Sequence, residues 1–242
     1  MNTARFRNIA LGAGAVLVLT FLFIQQRPVS QAEHDRYTRN IEEMEHLDAD
    51  INRDVVRSRY ELLTSYDRVT AMMTSLERAQ AQLAAPPSFV RGRDRDNMRR
   101  LLAGESALLN EKKRRIETFK SENAILKNSL RYFPVLVGDA SKLARQTGDA
   151  RLDSDLNSLL RDILLLNLNP GDDLSTQIQA EIEAVRADSS SRPRFHDVLV
   201  GIVSHAELIA RISPRLSSLT ASLIALPMTE RIEGVHDAYI EA

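Results

Sequence analysis

Cysteine and tryptophan are both absent from the sequence. Without cysteine there is no disulfide framework, thiolate zinc site, cysteine nucleophile or iron–sulfur cluster. Stability must come from packing alone, in the cytoplasm or in an envelope compartment. Aromatic residues make up only 5% of the chain, and with β-branched residues also sparse, the usual material of strands is missing. Glycine is scarce too, at 9 of 242 residues, and no phosphate-binding glycine loop, Gly-x-Ser-x-Gly elbow or His-Glu-x-x-His pair occurs. Charge of one sign is not in excess: 32 basic residues face 33 acidic ones, so no global field draws in nucleic acid. These absences predict an all-α protein that is not an enzyme, with no cofactor, no metal site and no nucleic-acid partner.

The one long apolar run lies at the front. Arg5 and Arg7 precede "IALGAGAVLVLTFLFI", residues 9–24, which holds no charge. Sixteen such residues span about 24 Å as a helix, slightly short of a bilayer core, and Gln25 and Gln26 extend the run into the headgroups. The expectation is a cytoplasmic N-terminus at 1–8, a transmembrane anchor at 9–26 and an exported remainder at 31–242. The rival is a cleaved signal peptide with "SQA" before Glu33 as its site, although that site stands eight residues beyond the run. The sequence stops in "TERIEGVHDAYIEA", which reads as mid-helix, and we expect a longer protein to follow it.

From Gln31 to Leu83 neither proline nor glycine interrupts an apolar pattern of helical period. With Ile41, Asp48, Val55, Leu62, Val69, Leu76 and Leu83 on one heptad row, Glu45, Asn52, Arg59, Tyr66, Met73 and Gln80 fall on the other. The spacing predicts a single helix of about 80 Å. Pro86 and Pro87 end it. A second helix is expected over 93–132, stopped by Pro134, with shorter ones over 135–147, 152–168 and 172–188. A last helix should run from 195 to 225 and on towards 242, kinked at Pro214. "LDSDLN" at 152–157 echoes "LDADIN" at 47–52, which suggests two helical modules, about 31–134 and 135–225. The expected architecture is an elongated helical bundle, two stacked modules sharing long helices, with 226–242 leading toward a second membrane span.

Asn52, Arg59 and Tyr66 raise the functional question, because polar groups at heptad spacing stand where packing wants apolar ones. In the second copy the positions matching Arg59 and Tyr66 are Leu164 and Gly171. A buried arginine needs a partner. One reading makes Arg59 the contact for an anionic or hydroxylated ligand, with Tyr66 stacking or hydrogen-bonding. The other pairs Arg59 with Glu105, Glu117 or Glu122, or lets it snorkel at the edge of the stripe. "ENAILKNSLRYFP" at 122–134 could line the same pocket with Asn123, Lys127, Asn128, Arg131 and Tyr132, or be an ordinary amphipathic helix. The candidate ligand contacts are Arg59, Tyr66, Asn52, Asn123 and Arg131. The arginine-rich "VRGRDRDNMRR" at 90–100 reads as a solvated loop and helix start. Two Glu-x-x-His pairs, Glu43–His46 and Glu233–His236, lack the further carboxylates of a di-metal bundle site.

"LDADINRDVVRSRYELLTSYDRVTAMMTSL" and "ENAILKNSLRYFPVLV" resemble the DAHL domain, a double all-helical ligand-binding domain, in its Asn-x-Asp-Val run with Tyr-Asp and its Leu-Arg-Tyr-Phe-Pro ending. The resemblance covers about 33–225. Where the family tends to show Tyr-Asp-Pro, this chain has Tyr66-Asp67-Arg68, so the helix is expected to continue there. The resemblance implies a periplasmic sensor between two spans of the inner membrane, followed by a histidine kinase; a chemotaxis transducer would share the same sensor. It implies as partners a small polar ligand or a ligand-loaded binding protein and, together with helix length, a homodimer. A membrane-anchored scaffold without a small ligand, whose buried polar residues set helix register, is the alternative.

Overall fold

The computed structural model describes Thr20, residues 31–60 and residues 65–242. The expected anchor at 9–26 lies, Thr20 apart, outside the described residues; among these no helix is long and apolar enough to cross a membrane. The described residues form seven α-helices, one short 3₁₀ turn and no strand. In chain order they are α1 (Gln31–Arg59), α2 (Asp67–Leu83), α3 (Gly92–Gln146), α4 (Ala150–Leu168), α5 (Asp172–Ser191), a 3₁₀ turn (Pro193–Phe195), α6 (His196–Ile224) and α7 (Met228–Ile240).

Three helix boundaries depart from the sequence pattern. The stretch 31–83 is two helices: α1 stops at Arg59, and α2 opens at Asp67, whose amide donates to Ser65 Oγ at 3.0 Å in the manner of an N-cap. The expected single helix is thus interrupted between Arg59 and Asp67, although Tyr66-Asp67 is followed by arginine and not proline. Pro134, in contrast, does not end α3. Phe133, Val137, Ala140 and Ala144 are all buried at helical spacing on either side of it, so packing holds the helix through the lost backbone bond. Pro214 likewise sits inside α6 between the buried Ile212, Ser213 and Leu216. It is Pro227 that separates α6 from α7, since the residue before a proline is pushed out of the helical region. At the end of α3, Gly148 takes φ +76°, a left-handed position that suits glycine, and lets Asp149 N reach Ala144 O at 2.9 Å.

Two compact units are built from interleaved segments. The first comprises residues up to 48, 74–106 and 228–242. Its core holds Tyr37, Ile41 and Met44 of α1, Leu76, Ala79 and Leu83 of α2, Met98 and Leu102 of α3, and Met228, Ile232, Val235 and Tyr239 of α7. Tyr239 packs against Tyr37 and Phe89, with its hydroxyl bonded to His34 Nδ1.

The second unit comprises 49–73 and 107–227. In it α4, α5 and α6 pack on one another through Leu152, Leu156, Leu159, Ile163 and Leu166, Ile178, Ile182 and Val185, and the apolar face of α6. Polar ties join the other helices to this core. Arg115 Nη1 donates to Ser222 O at 2.8 Å, Arg215 pairs with Glu122 at 2.8 Å, and Arg68 Nε of α2 reaches the wholly buried Asp54 of α1 at 3.0 Å.

The buried face of α1 is turned from the expected heptad assignment. Ile41, Asp48 and Val55 are buried as the pattern requires, but the companion row is Tyr37, Met44, Ile51 and Ser58 rather than Glu45, Asn52 and Arg59. Glu45 and Asn52 lie half-buried on the flank. Arg59 is nonetheless 4% exposed, so its burial comes from its position at the helix end and from what it reaches there.

Candidate functional site

α1 ends inside the second unit, and its last residue sends a guanidinium to the end of another helix. Arg59 Nη1 donates to Asn167 Oδ1 at 3.1 Å, and Nη2 donates to Asn167 O at 3.2 Å and Ser213 Oγ at 3.1 Å, with Ser217 Oγ at 3.4 Å. Asn167 lies in the last turn of α4, where backbone carbonyls lack helical partners and the helix dipole is negative. Ser213 and Ser217 stand one turn apart on α6, putting two hydroxyls on an otherwise apolar face. The arginine thus caps α4 and ties α1 to α4 and α6.

All of these partners are neutral. None of the carboxylates considered for Arg59 serves it: Glu122 is taken by Arg215, Glu117 by Lys120, and Glu105 belongs to the first unit. The ion-pair reading of Arg59 is therefore replaced by a network of amide, carbonyl and hydroxyl acceptors. A dipole end offsets up to about 2 kcal/mol, whereas removing a cation from water costs several. Burial accordingly lowers the Arg59 pKa, only slightly countered by the neighbouring Tyr60. Arg59 Nε is buried with no hydrogen-bond partner.

Beside the guanidinium is a cavity of about 230 Å³ lined by Arg59, Tyr60, Asn123, Leu126, Lys127, Leu130, Asn167 and Leu168. Asn123, on α3, is wholly buried; its Nδ2 donates to Ser58 O at 3.0 Å and to Tyr66 Oη at 2.9 Å, while its Oδ1 accepts no hydrogen bond. It interrupts an otherwise apolar row at seven-residue spacing on α3, from Leu109 and Ile116 to Leu130 and Val137. Lys127 follows one turn later, its ammonium 5.7 Å from the centre of the Tyr66 ring. Tyr66 in turn meets Phe119 edge-on at 6.4 Å.

Of the five candidates from sequence, then, Arg59 and Asn123 share one cavity wall. Tyr66 is not on the wall but stands behind it, bonded to Asn123. Asn52 is elsewhere in the unit, accepting at 2.8 Å from the buried Lys112. Arg131 is exposed and does not line the cavity. Asn167, Ser213 and Ser217 were not evident in advance. The signal for the serines is their spacing of four within the apolar run of α6; Asn167 carries none beyond its place just before the Asn169-Pro170 stop.

A second and much smaller cavity, about 10 Å³, lies in the first unit between Ile41, Met44, Leu83, Leu102, Ile232, Val235 and Glu105. Glu105 is 1% exposed and neither carboxyl oxygen has a hydrogen-bond partner. Burial, and then the charge of Asp48, push its pKa up to about 7.

The DAHL domain family model matches residues 29–242, nearly the whole of the sequence after the apolar run. No curated protein and no solved structure matches the chain.

Proposed function

The chain belongs to the DAHL domain family, helical sensor domains of signalling proteins, and from that we propose that it is the extracytoplasmic ligand-sensing region of a membrane receptor, with its ligand in the Arg59 cavity. A histidine kinase is the output that best suits the family. The observation that carries the ligand reading is Arg59: a cation 4% exposed, satisfied only by neutral groups, on the wall of a 230 Å³ cavity. Such a group is costly to fold around and gains most when a ligand supplies the missing charge.

Signalling follows from what Arg59 joins. It is the last residue of α1, whose first residue follows the proposed anchor, and it is bonded to α4 and α6. A ligand competing for the guanidinium biases the position of α1 against those two helices, and shifts of about 1–2 Å are enough for switching of this kind. It signals only if it binds the two arrangements with different affinity. A homodimer, and a sensor region in the periplasm with the anchor in the inner membrane, complete the proposal.

The scaffold reading rests on a different observation, the Asn52–Lys112 hydrogen bond, in which a buried lysine reaches a half-buried asparagine and ties helix register without any cavity. Thermal unfolding of the 242-residue chain in detergent, against organic acids, sugars, amino acids and phenolics, separates the two. A ligand at 100 times its Kd adds about 2.7 kcal/mol. The sensor reading expects a ligand-dependent shift with wild type and none with Arg59→Met, whose own stability falls by about 1–3 kcal/mol because Asn167 and Ser213 lose their donor, but which stays folded. If nothing shifts wild type, and Arg59→Met unfolds far earlier, Arg59 is a structural clamp and the scaffold reading stands.

A further inference from the structure

The first unit holds a carboxyl group in surroundings that do not suit an anion. Glu105 of α3 is 1% exposed, and neither of its oxygens has a hydrogen-bond partner. It faces a niche of about 10 Å³ walled by Ile41 and Met44 of α1, Leu83 of α2, Leu102 of α3, and Ile232 and Val235 of α7. That volume is at the lower limit for one water, which also needs two to four polar partners, and among the described residues Glu105 is the one polar group of the lining. A carboxylate here is neither paired nor hydrated, and an ionised group in that state takes up a proton or moves. The closed packing is the packing of the protonated acid.

The charged groups around the niche offer the side chain two different places. From α1 comes the buried Asp48, a like charge that opposes ionisation inside. α2 gives the lining Leu83 and no charge. On α3 the same row carries Met98, Leu102 and Leu109, with Lys112 two turns on and bonded to Asn52. α7 brings the exposed Arg231 and, one turn beyond Ile232, the half-buried His236. Arg231 lies across Gly104: its Nη1 is 3.9 Å from where a Cβ on that residue would stand. The missing side chain lets a guanidinium rest against α3 one residue before Glu105. A carboxylate that stays in the niche has Asp48 for a neighbour; one that leaves it toward α7 meets a cation.

We propose that Glu105 is a proton switch for the first unit: protonated, it seals the niche between α1, α3 and α7; ionised, it swings out to Arg231, admits water and moves α7 off α1. The switch is independent of the Arg59 cavity, which lies in the other unit. On the sensor reading α1 and α7 are the helices that lead to the membrane, which makes the proton a second input. Burial and Asp48 hold the acid up to about 7 in the closed packing, against an ordinary 4.5 in water. The ratio of open to closed is therefore lowest below about pH 4.5, climbs by up to about tenfold per pH unit as far as about 7, and levels off above that.

The chain has no cysteine, so two introduced ones take spin labels without competition. Glu43 of α1 and Glu233 of α7 are exposed and suit the purpose. Electron–electron distances in the labelled full chain, in a non-ionic detergent, should show a second, longer component at pH 8. Its weight relative to the short one should exceed that at pH 5 by about tenfold or more, with helix content by circular dichroism unchanged. Glu105→Gln, which keeps the shape without the titration, should hold the short distance at both pH values. Arg231→Gln should lower the longer component at pH 8 about threefold and leave pH 5 as it was. Identical distances at pH 5 and pH 8 overturn the switch. So does a pH response that survives in Glu105→Gln, which would assign it to another group such as His236. An Arg231→Gln variant that responds like wild type overturns the swing toward α7. None of these outcomes bears on the Arg59 reading, which the ligand series tests by itself.

Discussion

Buried charges in this protein are of two kinds, and the difference is in what satisfies them. Arg59 is surrounded by oriented oxygens, so the cost of its burial is partly offset. Glu105 has no such shell. With both oxygens unsatisfied in an apolar niche and Asp48 nearby, it holds its proton up to about pH 7 against an ordinary 4.5. The folded state therefore binds the proton more tightly than the unfolded chain does. The associated stability is fully present below about 4.5, is lost as pH rises to about 7, and the loss levels off above that. The size is at most about 3 kcal/mol, from some 2.5 pH units at 1.36 kcal/mol each. Glu105→Gln keeps the shape and removes the titration. In urea unfolding at pH 5 and pH 8, wild type should lose more stability between the two than the variant, which should be the more stable at pH 8. Parallel behaviour of the two proteins would show that the niche is wetter than its lining implies.

At the level of helices, the sequence was informative where apolar period decides the outcome and misleading where proline was given the decision. The stripe over 41, 48, 55, 69, 76 and 83 is buried as read, whereas Arg59 lies off the buried row and is covered at the helix end, and Asn123 comes from a stretch crowded with polar and aromatic residues. Pro134, however, read as a stop and lies inside α3, since burial on both sides outweighs one missing backbone bond, while Pro214 lies inside α6 as expected. The break after Arg59 was not legible for the opposite reason: it depends on a serine cap and on tertiary partners such as Asp54–Arg68, not on a helix breaker. Residues that serve the site from another helix, such as Asn167 or Ser213, have no local signature because their role is set by where α4 ends and what α1 brings to it. If Pro134 is tolerated rather than used, Pro134→Ala should restore the bond to Leu130 O and stabilise the chain by about 1–3 kcal/mol, read from the urea midpoint. A loss of stability would mean that the packing of Phe133 and Val137 depends on the bend a proline imposes.

For the molecule as a whole, the ligand reading requires a compartment. A ligand sensed outside the cell reaches the cavity only if residues 31–242 are exported, and the determinant of that in the sequence is the front: Arg5 and Arg7, then sixteen residues without a charge. On the proposed reading, the positive-inside preference would put those arginines in the cytoplasm and everything after the apolar run across the membrane. Zero cysteines fit the cytoplasm and an envelope compartment alike, so they do not decide the location. Fusing alkaline phosphatase, which is active only after export, or green fluorescent protein, which fluoresces only when retained, behind Ala242 in a bacterial host decides the matter. We expect an active phosphatase, a dark fluorescent protein, and a fusion that stays in the membrane pellet after alkaline extraction. Replacing Arg5 and Arg7 with alanine should lower the phosphatase signal, because the charge asymmetry that orients the segment is then gone. A fusion released as a soluble, shortened protein would convert the anchor into a cleaved signal peptide and leave the cavity on the outside. A bright fluorescent fusion with a silent phosphatase would put the cavity in the cytoplasm, where any ligand would be an internal metabolite and no signal would need to cross the membrane.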